Sequence, residues 1–148
     1  MQTQALAARA AFVAMAIIAT SCAVKQDAGD TVGEPVDSYD DLLAALRGNG
    51  STVDSLGAIS QPFFIPEGQV INVDGYEIQV FEFSSEGDAM SAAETISPDG
   101  SSIGTTMISW VEPPHFYKSG KLIVLYVGEE DAVVEVLEDV LGPQIAGR

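Results

Sequence analysis

The residues that most constrain the fold are 122–127, Leu-Ile-Val-Leu-Tyr-Val. Six aliphatic, β-branched and aromatic residues follow one another without polar alternation, the pattern of a strand buried on both faces. Ser119-Gly120 just before them is a turn signal, so 115–127 (HFYKSGKLIVLYV) is expected to form a hairpin with this strand as its second arm. A strand covered on both faces needs other elements above and below it, and the rest of the chain must supply them.

Residues 68–83 supply a second hairpin. GQVINV and YEIQVFEF flank Asp74-Gly75, a dipeptide suited to a two-residue turn with positive φ. That turn pairs Val73 with Tyr76 and Ile71 with Ile78, placing Ile71, Val73, Tyr76, Ile78 and Val80 on one face. Phe81 and Phe83 fall on the other, which requires that face to be covered too, or the strand to bulge.

Three helices are expected. Ser38 and Asp41 form a capping-box pattern ahead of Tyr39, Leu42, Leu43 and Leu46, which share one face at i, i+3, i+4 and i+7; Arg47 suits the last turn and Gly48 a left-handed cap. Ser85 and Asp88 cap a second helix whose inner face is Ala89, Ala92, Ala93 and Ile96. Residues 129–141 make a third, with Val133, Val136, Leu137, Val140 and Leu141 inward, and Gly142-Pro143 ending it. Residues 52–56 and 106–111 read as short strands, and 61–66 (QPFFIP), bracketed by prolines, as an edge strand at best. Residues 97–105 (SPDGSSIGT) are the densest turn segment.

The expected fold is therefore α+β: one domain at 38–148, with an antiparallel sheet of about five strands and three helices. Residues 68–96 and 115–141 both read hairpin, cap, amphipathic helix, suggesting two such units in a pseudo-twofold arrangement.

The N-terminus reads differently. Residues 1–21 carry one charge, Arg9, then an apolar run and small residues, as in a secretory signal. The run is about half the roughly 20 residues a spanning helix requires. Residues 24–37 (VKQDAGDTVGEPVD) are polar and acidic without aromatics, and 22–37 are expected to be a tether on the order of 20 Å long.

All 22 acidic residues follow Cys22, and only five Lys/Arg remain once Arg9 leaves with the signal, for a net charge of −17. Such a field excludes nucleic acid and anionic headgroups as natural partners and suits a basic protein, a cation or plain solubility.

Chemistry is sparsely supplied. His115 is the only histidine and Cys22 the only cysteine, so neither an intramolecular disulfide nor a zinc site is expected. No G-x-S-x-G elbow, EF-hand spacing or glycine-rich phosphate cradle is present, and no cofactor is expected. The candidate ligand-binding residues are Trp110, His115 and Tyr117, beside the loop that carries Asp99 and Ser101. The enzymatic alternative is a small hydrolase using His115 with a nearby Asp or Ser; it gains if His115 is hydrogen-bonded to Asp99 or Ser101 in an open cleft.

Two resemblances add to this. Ala19-Thr20-Ser21-Cys22 resembles a bacterial lipobox, with Ala19 where leucine is usual. The resemblance implies lipidation of Cys22 and membrane attachment through it. Ala23, in place of a retaining aspartate, then implies the periplasmic face of the outer membrane in a two-membrane cell. SPDGSSIGT, SWVEPPHFYKSGKLIVLYVG and LEDVLGPQIAG together resemble a family of small uncharacterised bacterial lipoproteins. That implies a lipid-anchored, extracytoplasmic envelope protein, a binding or accessory module more than an enzyme, and carries over no catalytic residues.

Overall fold

The computed structural model describes residues 35–147. The expected signal, Cys22 and most of the expected tether lie outside the described residues. Among those described, no helix is long and apolar enough to cross a membrane.

A six-stranded antiparallel sheet forms the middle layer, in the order β1-β2-β3-β7-β6-β8. The strands are β1 (Val53–Ile59), β2 (Gly68–Val73), β3 (Tyr76–Glu82), β6 (Pro114–Ser119), β7 (Leu122–Val127) and β8 (Ala146–Gly147). A separate ribbon pairs β4 (Ser102–Ile103) with β5 (Thr106–Met107). The helices are α1 (Tyr39–Gly48), α2 (Glu86–Ala93) and α3 (Asp131–Leu141).

β7 lies between β3 and β6, and Leu122 to Tyr126 are all buried. Its side chains alternate between two cores: Leu122, Val124 and Tyr126 join one, Ile123 and Leu125 the other. The Asp74-Gly75 turn has φ of 53° and 101°, positive at both central residues, and sets the expected register of Val73 on Tyr76 and Ile71 on Ile78. No register shift interrupts β3 against β7. Phe81 and Phe83 point into a second, covered core, so the sheet is covered rather than bulged there.

α1 and α3 cover one face, burying Leu42, Leu46, Val133, Leu137 and Leu141 against β2, β3, β6 and β7. Ser38 caps α1 in a complete capping box with Asp41. The other face is covered by α2, the 60–67 loop and the segment 102–110, with an aromatic core of Phe64, Phe81, Phe83 and Phe116.

The structure corrects several expectations. The hairpins do sit side by side at the sheet centre, but α2 and α3 pack on opposite faces, whereas a twofold axis normal to the sheet would put both on one. The second hairpin turns at Gly120-Lys121, because Ser119 already pairs with Leu122; Gly120 has φ 49° and a Cβ there would run into Asp37. Residues 61–66 form turns rather than an edge strand, and 106–111 contribute only two strand residues before Trp110 and Pro113 divert the chain. α1 continues through Gly48, and the left-handed residue is Gly50. Val36 is 4% exposed and its carbonyl accepts from Ser119 Oγ at 2.7 Å, so the packed part includes this residue two positions ahead of Ser38.

Candidate functional site

Strand alternation separates the aromatic cluster that the sequence brings together. Along β6, Phe116 points to the α2 face while Tyr117 points to the α1/α3 face. Trp110 packs with Phe116, the ring centroids 5.9 Å apart, and donates from Nε1 to the Gly100 carbonyl at 2.7 Å. It is half-buried and closes the edge of the aromatic core.

His115 is on the other side and 7% exposed. Its Nε2 lies 3.0 Å from the Gly128 carbonyl and its Nδ1 2.9 Å from Gln144 Oε1. Its ring stacks on Tyr126 with 5.6 Å between centroids. Both ring nitrogens are thus occupied by groups other than Asp99 or Ser101.

Asp99 instead organises its own loop. Its Oδ1 accepts from Ser97 Oγ and Ser101 Oγ, each at 2.8 Å, and from the Ser101 N–H at 3.1 Å. The Ser101 amide foremost, with the Ser97 and Ser101 hydroxyls, holds the Asp99 carboxyl down to about 2. Neither Asp99 nor Ser101 is hydrogen-bonded to His115, the arrangement that would have favoured the hydrolytic alternative.

Tyr117 is fully buried, and its hydroxyl has no partner among the described residues. Burial, then the neighbouring charge of Glu138 and the Tyr126 hydroxyl, push its phenol well above the usual range. Among the described residues no group of three or more His, Cys, Asp or Glu side chains could hold a metal ion.

A concavity lies where no candidate residue was expected. A groove of about 540 Å³ runs between α2 and the turns at 63–66. Phe63, Phe64, Ile65, Pro66, Phe83 and Ala92 form its apolar walls; Ser84, Asp88, Ser91 and Thr95 supply polar groups. Its origin is local. Phe64 is anchored on Phe81 at 4.8 Å and Phe83 at 5.9 Å, and Gln61 Nε2 donates to Gln79 Oε1 at 2.9 Å. These contacts hold the turns against the sheet while the alanines of α2 project too little to fill the gap beside them. Ile65, next to the anchor, is 100% exposed. The signal available in the sequence was Phe-Phe-Ile between two prolines: prolines keep such a run out of the sheet, so its apolar residues cannot all be buried.

A smaller, more polar depression of about 380 Å³ lies across the sheet, between Tyr76, Tyr126, Glu77, Glu112, Glu129 and Glu130. Tyr76 donates to Glu130 at 3.0 Å, and this bond and the carboxylate charge raise the Tyr76 phenol. The four glutamates leave it open to water, and it has no apolar floor comparable to that of the groove.

No family model, curated protein or solved structure matches the chain.

Proposed function

We propose that this protein is a non-enzymatic binding module of the cell envelope, lipid-anchored through Cys22, that takes an apolar ligand in the groove between α2 and residues 63–66. The observation that carries this is an aromatic, solvent-open groove of about 540 Å³ with a fully exposed isoleucine at its margin. A cavity of this size and lining matches the concave, largely apolar sites that hold small ligands. Exposed contiguous apolar surface in a small acidic domain is otherwise a solubility cost. The polar groups at the groove are hydroxyls and the Asp88 carboxylate, with no lysine or arginine among its described lining residues. Neutral or cationic amphiphiles suit that lining better than anionic ones.

The test uses the neutral fluorescent probe N-phenyl-1-naphthylamine with the full chain. Ala92→Trp fills the groove from α2. It should abolish the probe's fluorescence gain with little change in thermal unfolding; equal binding by both proteins would refute the groove as the site. The anchor is tested separately: Cys22→Ser should abolish membrane attachment, and unchanged incorporation of radiolabelled fatty acid would refute lipidation there.

A further inference from the structure

Three large apolar side chains stand almost wholly in solvent: Ile65 is 100% exposed, Val111 94% and Met107 85%. All three belong to the segments that cover the aromatic core, the turns at 60–67 and the stretch 102–111. A contact between Phe63 and Trp110, with ring centroids 6.3 Å apart, ties one segment to the other. Among the described residues, α1 and α3 leave no large apolar side chain exposed to this degree.

The same segments carry no charge. Residues 55–66 (SLGAISQPFFIP) and 100–111 (GSSIGTTMISWV) lack Asp, Glu, Lys and Arg, in a chain with 22 acidic residues and six basic ones. A basic protein would be drawn instead to Glu135, Glu138 and Asp139, exposed on α3 across the sheet. A second copy would bring a large negative charge against its like. An uncharged apolar surface suits an uncharged apolar partner, and a bilayer of zwitterionic lipid is one. Anionic headgroups find little to hold them, because Lys118 and Lys121 are already paired with Glu86 and Glu82.

The chain also enters the domain beside this surface. The Lys121 N–H donates to the Asp37 carbonyl at 3.3 Å, and the Phe83 N–H donates to the Lys121 carbonyl at 2.9 Å. Phe83 lines the groove. A linker from Cys22 to Asp37 reaches on the order of 20 Å. An anchor at Cys22 therefore keeps the bilayer within reach of this side at high effective concentration.

We propose that the surface formed by residues 63–66 and 107–111 docks on a bilayer of zwitterionic lipid. Ile65, Met107 and Val111 enter the headgroup boundary, and the groove beside Ile65 opens on hydrocarbon. This rests on the envelope-module reading above and names the ligand of the groove as a lipid chain from the membrane.

Trp110 is the only tryptophan and adjoins Val111, so its emission reports on this surface. The full chain is mixed with phosphatidylcholine vesicles, plain or brominated near the top of the acyl chains, and the vesicle-bound fraction is collected by flotation. Bromine should quench Trp110 in that fraction. Met107→Asp combined with Val111→Asp should abolish the quenching, whether or not Cys22 still holds the variant on the vesicles. Both positions are exposed and outside the lining of the groove, so thermal unfolding and N-phenyl-1-naphthylamine binding should match the parent chain. No quenching in the unmodified chain would overturn the docking, even where the naphthylamine probe binds. So would equal quenching in the double variant, stronger quenching on vesicles of anionic phosphatidylglycerol, or a dimer in solution that the double variant dissociates. Quenching without probe binding would leave the docking standing and strike the groove.

Discussion

The two faces of the sheet are covered by different means. On one, α1 and α3 lay long aliphatic stripes across the strands and leave the apolar core closed. On the other, an eight-residue helix with an alanine face, a set of turns and a two-stranded ribbon share the work, and aromatic rings fill what helices would otherwise fill. The amphipathic helices of this face run ten and eleven residues and bury Leu42 and Leu46, and Val133, Leu137 and Leu141. Turns and short pieces cannot tile a surface as completely, so the gap that becomes the groove falls on this side. Binding surfaces commonly arise where loops rest on a rigid scaffold, and the aromatic face has that construction.

Two truncations compare the faces directly, and they carry the largest expected effects. Phe116→Ala removes a fully buried ring from the aromatic core and should cost about 4 kcal/mol in denaturant unfolding. It also frees the single tryptophan, so Trp110 emission should shift to the red in the folded protein. Leu137→Ala empties a fully buried position beneath α3 and should cost about 3 kcal/mol. Its Trp110 emission should stay as in the parent chain. A red shift in both variants would mean that the two cores are not independent.

Smaller effects sharpen the contrast on the helical face. Ser38→Ala removes the cap of α1 and should lower stability by about 1 kcal/mol, read from the urea midpoint. Tyr117→Phe should go the other way. Its buried hydroxyl has no partner among the described residues, so deleting the oxygen should leave stability unchanged or raise it by about 1 kcal/mol. A loss larger than that would show that the hydroxyl is satisfied in solution.

On the aromatic side, Asp99 supplies a pH signature. Its carboxyl is held at about 2 in the folded chain, below the roughly 3.9 of an unfolded aspartate. A depressed carboxyl stabilises the fold above the unfolded value and loses that contribution as pH falls through the folded one. The Asp99 side-chain 13C signal should therefore titrate near pH 2, with the Ser101 amide signal moving alongside it. Titration near the roughly 3.9 of an unfolded aspartate would mean that the loop bonds do not persist. Asp99 is exposed, so the effect on global stability should be the smallest of these.

Much of the architecture was legible because it rests on local rules. The turn at Asp74-Gly75 fixes a register by its own dihedrals, and Ser38 with Asp41 starts a helix within a single turn of chain. Leu122 to Val127 declared a two-faced strand by composition alone. The site was less legible. His115, Phe116 and Tyr117 are neighbours in the chain, but alternation sends Phe116 to one core and the other two to the opposite face, and the partners of His115 come from residues 128 and 144.

By itself, then, the sequence determined the three helices, the serine caps of α1 and α2, the register of the Asp74-Gly75 hairpin and the need for cover on both sides of the sheet. Each of these arises from interactions within a few residues or from a period of two or 3.6. Only the tertiary structure decided that α2 and α3 take opposite faces, that residues 61–66 rest on Phe81 and Phe83 instead of joining an edge, and that a gap remains beside the alanines of α2. Those outcomes depend on how far a side chain reaches across the space between separate elements. A short alanine face and a proline-bracketed aromatic turn have no signature of their own until the sheet brings them side by side.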